Sequence, residues 1–301
     1  MRRAAIRLLT LGGAGIALAP AAAAQGGPPL GWSTSFDTLF LYQGDTDLSD
    51  AGSVSVNRGF LRGRALYTSD QGYSAGISLG YGRYFYNFDL PGAMPWDDVE
   101  DISLSFPVSF PINDRVNMFV VPSLRYDYES DAKASDGDTY GVFAGVTWKL
   151  SDRLTIGPGL GAFTQIEDDD LEVFPSLLIE WEIADRLSLS TLDAPGASLG
   201  PGLGLNYDVS DTLRIGLSAR VQSTRFRLDD DGIAPGGVGE DTSLPVVVGM
   251  RYRPNPGMSL SAFVGADFDG ELTLEDSNGN TVSKQDYDTA PIAGISFRLA
   301  F

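Results

Sequence analysis

Cysteine and histidine are both missing from this 301-residue chain, and lysine occurs only at Lys133, Lys149 and Lys284. Without thiols or imidazoles there is no disulfide framework, no Cys/His zinc site and no histidine base for hydrolytic chemistry. Basic residues are scarce as well. Only 21 Lys and Arg stand against 40 Asp and Glu, and a formal charge of −19 repels a phosphate backbone, so nucleic acid is excluded as a partner. Long apolar runs are lacking too. Past residue 24 there is no stretch of 18 consecutive apolar residues, and mean hydropathy is close to zero, which argues against a helical membrane bundle.

The one charge-free apolar run, Leu8 to Ala19, follows Arg2, Arg3 and Arg7 and precedes Ala22 and Ala24. This is the layout of a secretory signal peptide, with cleavage expected after Ala24. The two adjacent arginines lack a surrounding twin-arginine consensus, so the general secretory route is expected. Residues 1–24 are therefore set apart, residues 25–31 read as a short periplasmic segment, and residues 32–301 carry the fold. Loss of three arginines leaves 18 basic and 40 acidic residues, a net charge of −22.

What the mature chain does have is a period of two. Tyr140, Val142, Ala144, Val146, Trp148 and Leu150 alternate with Thr139, Gly141, Phe143, Gly145, Thr147 and Lys149. The same parity recurs over 170–183 and 212–224, with one face suited to hydrocarbon and the other to water. Short Asp-centred turns recur at Asn113–Val116, Ser151–Leu154, Ala184–Leu187 and Ser210–Leu213, because an Asp side chain bonds the backbone two residues on. They alternate with long acidic connections. That asymmetry is the pattern of an outer-membrane β-barrel of a Gram-negative bacterium.

Strands are predicted near 32–42, 53–68, 72–88, 101–110, 115–128, 138–150, 153–166, 170–183, 186–192, 198–209, 212–227, 242–253, 257–268 and 286–301. The count is fourteen, an antiparallel up-and-down transmembrane barrel with both termini periplasmic. Two of these are weaker: 53–68, where Arg58 and Gly59 interrupt the parity as a bulge would, and 186–192, which is short. Without them the alternative is twelve strands. The last strand places Tyr287, Ala293, Ile295, Phe297, Leu299 and Phe301 on one parity, and its aromatic end is similar to the C-terminal strand that the barrel-assembly machinery reads. Phe110, Trp148, Trp181, Tyr207 and Tyr252 near the short turns read as the periplasmic aromatic girdle, with Tyr42, Tyr126, Tyr128, Tyr140 and Tyr287 as the outer ring.

The repeated Asp-Arg-Leu turns, the segment Phe226 to Asp241 and the Leu-Ala-Phe ending resemble an uncharacterised family of bacterial outer-membrane β-barrel proteins, a domain of unknown function. The resemblance covers the mature chain. It implies the barrel and brings no functional residues with it.

Projected inward, the polar parity places Asp37, Arg125, Asp127, Lys149, Glu172, Glu180, Glu182, Arg214, Arg220, Arg251, Arg253, Asp267 and Arg298 in the lumen. An apolar collar of Phe119, Phe143, Phe163, Phe174 and Phe263 is expected near mid-height, either constricting the pore, guiding an apolar solute or packing the interior. The acidic loops, Asp229, Asp230 and Asp231 among them, read as solvated charge, with Ca²⁺ a weak candidate there. The expected partners are outer-membrane lipids and lipopolysaccharide; the oligomeric state is left open. No cofactor is expected, and no enzyme, because Glu180 and Glu182 are i, i+2 neighbours on one wall and do not flank a substrate. Three functions stand: a passive porin-like channel for small solutes, a structural or surface-binding barrel with a packed lumen, or a transporter of apolar small molecules.

Overall fold

The computed structural model describes residues 29–166, 171–191 and 202–301. The expected export signal and residues 25–28 lie outside the described residues. Alternation along the chain produces strands and nothing else of length: β1 (Gly31–Asp47), β2 (Ser53–Thr68), β3 (Ser74–Asp89), β4 (Val99–Ser105), β5 (Val108–Asn113), β6 (Val116–Glu129), β7 (Asp138–Ser151), β8 (Leu154–Thr164), β9 (Leu171–Ala184), β10 (Leu187–Ser190), β11 (Gly202–Asp208), β12 (Leu213–Arg220), β13 (Gln222–Arg227), β14 (Val238–Asn255), β15 (Met258–Glu275), β16 (Thr281–Tyr287) and β17 (Ala290–Ala300). Among the described residues the only helical element is a 3₁₀ turn, Ala134–Gly137. No helix there is long and apolar enough to cross a membrane.

Three staves are broken in two, at Phe106–Pro107, Val221 and Asp288–Thr289, so seventeen segments make fourteen staves. Pro107 has no N–H to give to a ladder, which accounts for the first break. The staves form an antiparallel meander that closes where β1 pairs with both β2 and β17, from Ser35 opposite Ala300 to Gln43 opposite Ile292. Phe301 adds two backbone hydrogen bonds to Thr34 at the seam, of 2.8 and 3.0 Å. Both sequence-weak strands are present, so the barrel has fourteen strands and not twelve. No bulge occurs at Arg58–Gly59, since β2 runs in unbroken register with β3 from Ser53 to Thr68.

The two faces separate cleanly at the level of adjacent residues. Leu177 is 55% exposed and Leu178 2%, because one points out of the wall and the next into the lumen. Trp148, Trp181, Tyr207 and Tyr252 all point outward near the short turns, and Tyr42 and Tyr140 do so near the long connections. Tyr287 departs from its expected place: it lies inside the barrel, because the break at Asp288–Thr289 reverses the parity between β16 and β17.

At the long-connection end the interior is filled. Inward Val54, Val56, Tyr84, Phe226, Leu272, Leu274 and Tyr287 pack with Leu48, Trp96, Leu228 and Ala234 from the connections. The wall is also pinched there: β13 makes a parallel bridge, Arg227 with Tyr128, to β6, which is not its neighbour in the barrel. The Arg227 guanidinium fixes this arrangement by donating to the carbonyls of Asp136, Ile166 and Gly236 at 2.8–2.9 Å. Glu129 does the complementary job with its carboxylate, accepting from the backbone N–H groups of Asp97 at 2.6 Å and Asp229 at 2.9 Å.

Candidate functional site: the charged lumen

Along β6 to β9 the inward phenylalanines lie flat on the wall. A Cβ added at Gly145 would stand 2.6 Å from Phe119 Cζ, and one at Gly159 would stand 2.7 Å from Phe143 Cζ. Phe163 covers Gly141 and Phe174 covers Gly161 in the same way. Each ring thus occupies the space that a side chain on the next strand would need. With Val121 and Leu178 these four form one patch, and Phe143, Phe163 and Phe174 stack on one another within it. Phe263 belongs to a different patch, with Leu39, Leu41, Val247, Ile292 and Phe60, where it covers Gly294. The five rings therefore make two patches on separate arcs, not a ring around the lumen.

Charged groups occupy the rest of the interior, in three groupings. Just below the packed outer end, Arg58 donates to Gln43 Oε1 at 2.7 Å and reaches Asp241 at 3.2 Å, while Tyr86 and Tyr287 donate to the two oxygens of Asp241 at 3.0 and 3.1 Å. Arg220 and Asp267 are buried in the same region. Tyr84 approaches Thr224 at 3.5 Å, so β3 touches β13 across nearly the full width of the barrel. A second grouping sets Arg125 between Asp101 at 2.6 Å and Asp127 at 2.8 Å. Both are salt-bridged hydrogen bonds of the stronger, charge-assisted kind.

The third grouping lies toward the short turns and stays wet. Arg298 faces Asp37 at 3.5 Å, and Arg214 holds Asp208 with two bonds, Nε to Oδ1 at 2.6 Å and Nη2 to Oδ2 at 3.0 Å. By the parity of their strands Arg62 and Arg64 lie on the inner face of β2, and Arg251 and the exposed Arg253 on that of β14. On the far wall Glu180 accepts from Ser190 at 2.5 Å and Glu182 is exposed, while Glu172, at the long-connection end of β9, accepts from Gln165 at 3.2 Å. Lys149 leaves the lumen and pairs with Asp152 in the turn below at 2.9 Å. That contact holds the exposed Asp152 carboxyl below its usual range.

Arg58, Arg62, Arg64, Asp101, Asp241, Tyr84 and Tyr86 join the lumen without having been expected there. For the three arginines the signal was the even parity of β2, in which Val54, Val56, Arg58, Phe60, Arg62 and Arg64 share one face. The loop aspartates serve the backbone: Asp229 Oδ1 accepts from Asp231 N at 2.9 Å. Asp276 accepts the N–H groups of Asn280 and Asn278, which holds its carboxyl below the ordinary range and closes the β15–β16 hairpin. Among the described residues no three acidic groups are arranged to hold a metal ion.

No family model matches the sequence, and no curated protein is similar to it. Among solved structures the chain is similar to an outer-membrane channel from Pseudomonas putida F1, with a TM-score of 0.51 and 13% identity over 91% of this chain and 97% of that one. It is also similar to the P. putida toluene transporter TodX (TM-score 0.45, 11% identity, 91% of each chain) and to KdgM porin (TM-score 0.35, 8% identity, 87% and 98%). The closed fourteen-strand wall and the first of these likenesses give the chain the fold of outer-membrane β-barrels, in keeping with the family resemblance of its turns and C-terminal strand.

Proposed function

We propose that the protein is a passive channel of the bacterial outer membrane for small solutes. The observation that supports this is the wet lower lumen: inside a closed wall, Asp208 is 39% exposed on its side chain, Arg298 37% and Asp37 28%. Side chains that only filled a narrow barrel would pair and lose water. At the level of Arg58, Asp241, Tyr84 and Thr224 the side opposite β6–β9 is closed. Stepwise conductance in planar bilayers tests the reading, and a protein that stays silent across several lipids and salts overturns it.

A second reading, a structural barrel with a packed lumen, draws on the filled outer end and on the pinch between β13 and β6. The phenylalanine patch separates the two. If it gated an open pore, replacing Phe143 and Phe174 by Ala would raise conductance with the fold intact. Because both rings fill space over glycines, the expected result is lower stability, by about 3–5 kcal/mol for each buried ring, with conductance little changed.

A further inference from the structure

The lower lumen carries its two signs of charge on opposite walls. In the closed order of fourteen staves, β12, β14, β15, β17, β1 and β2 form one continuous arc, and β9 stands diametrically across from β1. The arc bears six inward guanidinium groups, on Arg62, Arg64, Arg214, Arg251, Arg253 and Arg298. Among the described residues two carboxylates accompany them there or beside it: Asp37, and Asp208 on the neighbouring β11. β9 contributes Glu180 and Glu182. All of these sit within a few residues of the short-turn ends of their strands, so they share one level of the barrel.

Asp37 stands opposite both Arg62 and Arg298, and Asp208 opposite Arg214, but like charges also adjoin: Arg214 and Arg251 are direct cross-strand partners, and Arg62 and Arg64 are i, i+2 neighbours on one face of β2. Like charges directly opposite each other on a sheet destabilise it. Such local conflicts persist where a site requires them. A low-dielectric wall lined by one sign of charge focuses its field into the cleft and concentrates counter-ions there. That field opposes the character of the whole molecule, which is strongly acidic.

We propose that this vestibule selects anions: the solutes it takes from the periplasmic mouth are small and negatively charged, drawn along the arginine arc with the Glu180–Glu182 wall excluding them from the other side. The proposal deepens the channel reading by naming a solute class, and it is tested without requiring conduction. The chain has no cysteine, so Ser259→Cys places a single thiol on β15 beside Arg298. Its rate of modification is measured with a negatively charged and a positively charged thiosulfonate of similar size. The ratio of the two rates on one thiol cancels the reactivity of the thiol itself.

At low ionic strength the anionic reagent is expected to react several-fold faster, and the ratio should fall toward one as salt screens the arc. Arg62→Gln with Arg64→Gln, and separately Arg251→Gln with Arg253→Gln, should each lower the ratio, while Glu180→Gln with Glu182→Gln should raise it. Heat-modifiable migration of every variant confirms that the barrel is assembled. A cationic reagent that reacts as fast as the anionic one in the assembled parent, or a ratio unmoved by both arginine pairs, overturns the proposal. A silent bilayer record with the expected ratio would sink the channel and leave the anion-selective vestibule standing. In a conducting protein, small carboxylates and chloride are compared by reversal potential, which separates organic from inorganic anions as the cargo.

Discussion

Arg58 on β2 and Asp241 on β14 meet at 3.2 Å in the interior, their side chains 1% and 2% exposed, and the contact ties two walls that the barrel order separates by three other staves. Removing one member of such a pair strands the other charge away from water. Arg58→Met alone should therefore destabilise the folded barrel by about 3–5 kcal/mol, whereas Arg58→Met combined with Asp241→Leu should cost much less. Urea unfolding followed by the loss of heat-modifiable migration measures both. Equal losses for the single and double variants would mean that the pair is not what joins the walls.

The assignment of faces is tested by charge placed on each. Leu217 and Val248 point outward at about mid-strand, and Arg at the bilayer midplane costs about 2–4 kcal/mol. Leu217→Arg and Val248→Arg should assemble poorly, while Ser176→Arg, which points inward, should assemble near the parental level. Similar yields at all three positions would show the parity to be misplaced.

The pairing of ring and glycine predicts a specific coupling. Gly161→Val puts a side chain where the Phe174 ring lies, so it should destabilise by about 1–3 kcal/mol. In a Phe174→Ala background the same substitution should cost little or become favourable, because the vacated space is then filled. A double-mutant cycle with no coupling between the two positions would contradict the contact.

Phe301 is 79% exposed while its backbone joins the seam through Thr34. Deleting it removes an outward aromatic and two seam hydrogen bonds together. Insertion should slow, as read from the rate at which the compact, unheated form accumulates. Phe301→Ala, which keeps the backbone bonds, separates the ring's part in assembly from the seam's. Deletion without effect would place the assembly signal elsewhere, for instance in Phe297 and Leu299.

Much of the architecture was legible because lipid and water impose opposite demands on alternate residues. Toward the short turns of β7 and β9 the wall is apolar outside and polar inside, so Trp148 beside Thr147, or Trp181 beside Glu182, declare their sides directly. The lumen of β2 was less legible. Toward the long connections the surroundings invert: Ser53, Ser55 and Asn57 face outward where no apolar contact is required, while Val54 and Val56 pack inside. The hydrophobic face thus changes sides part-way along a strand whose geometry is regular, and this made Arg58 look like an interruption. In β15, Asp269 adopts a positive φ of 50°, and beyond it Leu272 and Leu274 are buried. Nothing in the alternation of charges announces which arginine will cross the lumen to meet Asp241.

The Arg227 contacts also decide where this barrel can be edited. Surface connections of a barrel are usually the places that accept inserted peptide, since little of the fold depends on them. Here the β6–β7, β8–β9 and β13–β14 connections all give a carbonyl to one guanidinium, so lengthening any of them disturbs the other two. The Asp276–Asn280 hairpin closes on its own side chains and leans on none of those three. A tag or epitope displayed on the cell surface therefore belongs between Ser277 and Gly279, where the graft has no shared anchor to displace.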